Sequence, residues 1–276
     1  MKSFGAGLLV ISGLYAGSAW AGPDAGLAAH RAAYELSLAD AGSSGPPGAQ
    51  TPVAATGLIA YEFRGSACEG YASNFRQITE LQRNEGEPIN SDLSSVTFED
   101  GDGKALQFEI DGRNSASIDP PISGSAARAD GDKTTVQLYK PDKAKVDLGA
   151  GVLFPTQHIE TILATAKAGG SVLQARVYDG SETGRKVFLA LAVLGREATA
   201  PSPDAKIAPD LAGVRRWPVT VSYFNEAIKD SSPDYTLAYD LYENGVSGTL
   251  KLDYGRFMLE AKLSKLEFLK TAPCGK

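Results

Sequence analysis

The chain has 276 residues, 43% of them hydrophobic and 22% charged, with a formal net charge of −6. This is the composition of a folded globular protein with a sizeable core, and its length suits one or two domains. The negative balance argues against a non-specific nucleic-acid binder, which needs a basic footprint, and against simple attraction to anionic lipid headgroups.

The first element is an export signal. Lys2 precedes an apolar and small-residue stretch from Phe4 to about Ala16, and Ala19-Trp20-Ala21 stands before Gly22-Pro23. This pattern predicts a secretory signal peptide over 1–21, cleaved after Ala21; a buried N-terminal helix is the alternative. No cysteine sits at the cleavage point to carry a lipid anchor. No later apolar run is long enough to cross a bilayer, the longest being Val187 to Leu194. The expected mature chain, 22–276, is one exported all-β domain.

Tyr34, Leu36 and Leu38 alternate with polar residues, as in a half-buried strand. Ala41 to Gln50, rich in Gly and Pro, is an exposed loop. Ile59, Tyr61 and Phe63 mark a second strand. Gly65 to Gly70 form a turn containing Cys68, and Tyr71 to Arg83 form a strand with one solvated face. Val96 and Phe98 start a short strand closed by the acidic turn Asp100-Gly101-Asp102-Gly103. Leu106, Phe108 and Ile110 alternate until Asp111-Gly112 breaks the strand, and Pro120-Pro121 lies in a loop. Val136 and Leu138 mark a further strand.

One amphipathic helix follows Phe154-Pro155. Thr156 is its expected N-cap, Ile159, Ile162, Leu163 and Ala166 recur at helical spacing, and Gly169-Gly170 stops it. Strands then run over Ser171–Tyr178, Lys186–Leu194 and Trp217–Phe224. The middle one is apolar on both parities and is expected to be covered on both faces. From Tyr235 a three-strand meander turns at Asn244-Gly245 and Gly255, and it ends near Cys274. Its apolar parity switches near Ser264-Lys265, which predicts a bulge there or a change of buried face. Roughly a dozen strands against one clear helix is the pattern of a barrel or sandwich.

Candidate chemistry is sparse. In an oxidising compartment the even pair Cys68 and Cys274 reads as a disulfide, against two separate buried thiols. His30 and His158 lack metal-ligand spacing, so no metal or cofactor is expected, and His158 reads as structural or capping. There is no nucleophile elbow and no Walker or Rossmann glycine pattern. Asp119, Asp147 and Asp179 are carboxylates near turns; two facing each other would suit a glycan or peptidoglycan hydrolase, the one enzymatic alternative. Aromatic residues fall on many strands. Tyr61, Phe63, Tyr178, Trp217, Tyr223 and Tyr239 are candidates to line a ligand cavity inside a closed sheet, or to fill its core.

Several segments together resemble the EipB-like family of periplasmic envelope-integrity proteins. They are His30-Arg31-Ala32-Ala33-Tyr34-Glu35-Leu36, Leu153-Phe154-Pro155-Thr156-Gln157-His158, Val177-Tyr178-Asp179-Gly180, Ser222-Tyr223-Phe224, and Asn244-Gly245-Val246 leading to Leu252-Asp253-Tyr254-Gly255. The resemblance spans nearly the whole mature chain. It implies a broken, oval antiparallel barrel wound as a β-spiral, with a disulfide joining an early segment to the C-terminus. It implies a periplasmic role in maintaining the Gram-negative envelope and brings no catalytic residues. Two functional expectations follow. One is a non-enzymatic factor that binds a periplasmic protein or envelope component; the other is a carrier of a lipid or other apolar ligand inside the barrel.

Overall fold

The computed structural model describes residues 26–39, 51–115, 117–129, 131–229 and 231–271. The predicted signal peptide, the Gly/Pro loop and Cys274 lie outside them. Among the described residues, all strands belong to one sheet. They are β1 (His30–Leu38), β2 (Ala54–Ser66), β3 (Gly70–Gln82), β4 (Ile89–Glu99), β5 (Ala105–Asn114), β6 (Ser117–Ile118), β7 (Ile122–Arg128), β8 (Lys133–Lys140), β9 (Ala144–Ala150), β10 (Val152–Leu153), β11 (Val172–Val177), β12 (Phe188–Leu194), β13 (Arg216–Asn225), β14 (Tyr235–Tyr242), β15 (Ser247–Asp253) and β16 (Met258–Phe268). Among the described residues there is one α-helix, α1, which spans Pro155–Lys167.

The strand order is β10-β11-β12-β13-β14-β15-β16-β1-β2-β3-β4-β5-β7-β8-β9, with β6 added beside β5. Chain neighbours pair antiparallel around most of this path, whereas β10 and β11 are parallel. The path ends on β9 and β10, which are consecutive in the chain and separated by Gly151 alone. A sheet whose two ends are joined so closely has wound into a nearly closed, broken barrel, as the spiral expectation required.

Side chains bridge that break. Arg176 on β11 donates to the carbonyl oxygens of Ala150 and of Leu148 (2.9 Å for the latter) on β9. Glu226, just after β13, pairs with the same guanidinium and neutralises it. A planar fork of five donors suits a place where two strands diverge too far for backbone bonds.

The cross-strand registers define one continuous inward face. Tyr34 pairs with Ile59, Ile59 with Gln77, Phe75 with Ser95, and Leu106 with both Glu99 and Ala126. This face carries the buried apolar clusters. One joins Tyr34, Leu36, Ile59, Leu252 and Leu259. A second joins Leu106, Phe108, Val136 and Tyr178. The third seats Ile162, Leu163 and Ala166 of α1 on Ala190, Ala192, Trp217 and Val221. The helix therefore lies inside the wall, and its apolar stripe faces β11–β14.

Several expectations are corrected. Thr156 does not cap α1: the cap position is Phe154, which makes no side-chain cap bond, and Thr156 is the second residue of the helix. Val96 and Phe98 do not start their strand but lie near its end, where they point outward and are 52% and 40% exposed. Their strand is eleven residues long, with Ser91, Ser95 and Thr97 on its inner side. Asp111-Gly112 lies within β5 rather than ending it. His30 begins β1 and is buried. β12 is covered on one face only, since Val193 is 51% exposed. β7 and β9 have no counterpart in the sequence reading. The predicted bulge is present: Ala33 pairs with Lys265 and Tyr34 with Leu263, so Ser264 is the extra residue, and its hydroxyl donates to Ala33 O (3.1 Å).

Candidate functional site

The first turn of α1 meets the inner end of β4. Glu99 ends that strand on its inward parity and is buried. Both its carboxylate oxygens accept from Thr156 N (2.9 and 3.0 Å), and one also accepts from Gln157 N (3.2 Å). A helix leaves its first N–H groups without intrahelical partners, and an anion there also meets the positive end of the helix dipole. Glu99 supplies what Thr156 was expected to supply. Burial outweighs these bonds and raises its pKa to about 7.

Gln157 extends the junction. Its side-chain oxygen accepts from Arg128 (2.9 Å) and from Phe154 N (3.4 Å), and Arg128 also donates to Val152 O. The amide presses on Gly103 in the β4–β5 turn, where φ is +66° and a Cβ would stand 1.9 Å from the amide nitrogen. A side chain at Gly103 would displace the residue that holds the helix start.

His158 points inward from the next position. It is buried, its Nε2 has no hydrogen-bond partner, and desolvation lowers its pKa to about 4. Its ring meets Tyr223 edge-on at 6.2 Å. Tyr71 on β3 bonds Glu160 of α1, and burial raises the Tyr71 pKa to about 12. The helix is thus held to β3 and β4 through polar groups and to β11–β14 through apolar ones.

The six aromatic candidates divide. Phe63 is buried and stacks on Tyr71 at 5.3 Å. Tyr178 is wholly buried, donates to Gly184 O (2.8 Å) and lies edge-on to Phe108. Trp217 is buried under α1, with the Arg215 guanidinium over its ring. These three are core. Tyr61, Tyr223 and Tyr239 also face inward but keep part of their surface accessible. Burial nonetheless raises all three pKa values, that of Tyr239 to about 12. Tyr235, which stacks on Tyr223 at 4.7 Å, behaves alike.

The turn carboxylates serve their own turns. Asp147 accepts from Gly149 N (2.8 Å), Asp179 from Ser181 N (2.9 Å), and Asp119 is exposed. Asp100 closes the acidic turn by accepting from Ala105 N (2.8 Å). Cys68 occupies the β2–β3 turn, and no cysteine among the described residues is free. On the outer face, a groove of about 460 Å³ runs across β16 and β1–β4. Ala33, Ala60 and Val96 lie in it, with Arg31, Glu62, Arg76, Lys265 and Glu267 around it.

Glu99 and His158 were the residues that sequence reasoning passed over or set aside. The available signal for Glu99 was its parity: an acid in step with Ser95 and Thr97 points to the same side as they do.

The model of the EipB-like family matches residues 21–270. The chain belongs to the EipB-like family. Within it, the chain is 36% identical over 259 residues to the cell envelope integrity protein EipB of Brucella abortus (strain 2308), covering 93% of this chain and 90% of that protein. The crystal structure of a beta-barrel-like protein of a domain of unknown function, DUF1849, also from Brucella abortus, superposes with a TM-score of 0.80 at 33% identity. The match covers 89% of this chain and all of that one. This EipB-like chain therefore shares the broken barrel of a solved relative.

Proposed function

We propose that this protein is a non-enzymatic factor, exported to the periplasm, that supports the integrity of the Gram-negative cell envelope by binding a protein partner or an envelope component. The observation that carries the reading is the 36% identity, over nearly the whole chain, to a protein named for cell envelope integrity. The A-x-A signature at Ala19–Ala21 supports export, and the family match begins at residue 21, where cleavage is predicted. An all-β shell with its carboxylates engaged in turns and a helix cap suits binding better than hydrolysis. The bridge between Cys68 and Cys274 belongs to the same proposal. Deleting the gene is expected to sensitise cells to detergents and envelope-targeting antibiotics, with rescue by the wild-type copy. Unchanged sensitivity would overturn the reading.

A second reading has its own observation. Tyr61, Tyr223, Tyr235 and Tyr239 face inward and are only partly buried, which favours a carrier of a lipid or other apolar ligand. Native mass spectrometry of protein taken from the periplasm is expected to show a co-purifying ligand. Protein that retains its fold and carries none would count against a carrier.

A further inference from the structure

The break in the barrel leaves two strand edges open. Among the described residues, β9 pairs β8 on one side and no strand on the other. β11 pairs β12 along its whole length, but on its other side β10 meets only Arg176 and Val177. Backbone N–H and C=O groups along such an edge are a template for one more strand.

The chain turns between β9 and β10 at Gly149 and Gly151, both at positive φ (+74° and +72°). Arg176 fills the narrow end of the gap, where its guanidinium takes the carbonyls of Leu148 and Ala150. Further along, no hydrogen bond among the described residues joins Ala144–Asp147 of β9 to Val172–Ala175 of β11. The side-chain bond to Ala144 O in this stretch comes from Gln137 Nε2 (3.1 Å), on β8.

Two features select an occupant. Val172 is 59% exposed and stands opposite the exposed Val193, so an apolar pair lies on the outer side of the open end. The β8–β9 hairpin, residues 133–147, carries four lysines against two aspartates in a chain of net charge −6. Lys140 pairs with Glu109, whereas Lys133, Lys143 and Lys145 are exposed and hold no acid partner among the described residues. Lysines on an edge strand oppose pairing with a second copy of that strand and attract an acidic one.

We propose that the open stretch between β9 and β11 docks an extended, acidic segment of a protein partner, which adds to the sheet as a further strand. Its backbone pairs with the free edge of β9, its carboxylates lie beside Lys143 and Lys145, and an apolar residue packs on Val172. The inference rests on the partner-binding reading and adds the surface and the chemistry of the partner.

The test uses synthetic peptides of the length of β9, titrated into the isotope-labelled full mature protein and followed by amide chemical shifts. One alternates glutamate with valine; a second has lysine in place of glutamate; a third is the glutamate peptide N-methylated at its central residues. The glutamate peptide is expected to shift amides of β9 and β11 saturably, and the lysine peptide to bind at least about tenfold more weakly. The N-methylated peptide keeps charge and side chains but loses its backbone donors, so it is also expected to bind at least about tenfold more weakly. Lys143→Glu with Lys145→Glu changes two exposed side chains and is expected to reverse the preference between glutamate and lysine peptides. Undiminished binding of the N-methylated peptide, an unchanged preference in the double variant, or no binding of the glutamate peptide to protein with a native spectrum would each overturn the inference. The partner-binding reading would survive those results, since it fails only with the deletion strain.

Discussion

Glu99 and His158 are buried ionisable groups displaced in opposite directions, and the sign of each effect sets how stability varies with pH. The Glu99 pKa is raised to about 7, so its contribution is fully present below the ordinary carboxylate value and is lost as pH rises through 7. The His158 pKa is lowered to about 4, so its contribution is present above the ordinary imidazole value and is lost as pH falls through 4. Each is on the order of 3 kcal/mol, and the two slopes oppose each other between about pH 4.5 and 6.5. Glu99→Gln removes the falling slope. Urea titrations across that range should show the variant gaining stability with pH while the wild type stays nearly flat. A variant profile parallel to the wild type would show that Glu99 is not held near neutrality. The cap that Glu99 provides was not legible beforehand, because its donors lie 57 residues away and leave no local signature. Thr156 carried the local signature and faces the interior instead.

Elements were legible where apolar residues alternate. β1, β2, β5 and the closing meander follow that pattern, and the parity switch in β16 located the Ser264 bulge. β4, β7 and β9 were obscured because their inner positions include Ser95, Thr97, Gly124 and Ala126, which hydrophobic periodicity does not register. Gly124 stands where a Cβ would meet the Phe108 ring at 2.7 Å, so the smallest residue marks close packing there. The seam was equally hidden, since it depends on which strands end the path. Two variants test this scale. Arg176→Met deletes the bonds to Leu148 O and Ala150 O and strands Glu226. It should cost about 1–3 kcal/mol and speed amide exchange in β9 and β10, leaving β1–β3 protected. Uniformly unchanged exchange would mean that the guanidinium does not hold the seam. Gly180→Ala would force a Cβ against the Phe108 ring, 2.4 Å away, at a residue with φ of +79°. Thermal unfolding should show a loss of about 1–3 kcal/mol; a wild-type midpoint would contradict the packing.

At the scale of the whole molecule, the sheet ends on β9 and β10 without a continuous backbone ladder, and helix α1 fills part of the interior from one side. The proposed Cys68–Cys274 bridge would tie the β2–β3 turn to the end of the chain beyond β16. Cys68→Ser should then lower the melting temperature by several degrees under oxidising conditions, in line with about 2–5 kcal/mol for a native disulfide. Equal melting of the wild type with and without reductant would remove the bridge. The broad architecture was legible from strand count, export signal and motif order. Whether the inward aromatics were core or lining was not, because both positions favour the same residue types. Phe63, Tyr178 and Trp217 are buried, while Tyr61, Tyr223 and Tyr239 are only partly buried. The central claim is that the folded barrel acts outside the cytoplasm to support the envelope. Its most direct test is complementation of a deletion strain, scored by survival in detergent, with the full chain and with a chain lacking residues 2–21. The account predicts rescue by the full chain and none by the leaderless one at equal abundance. Equal rescue by both would contradict it.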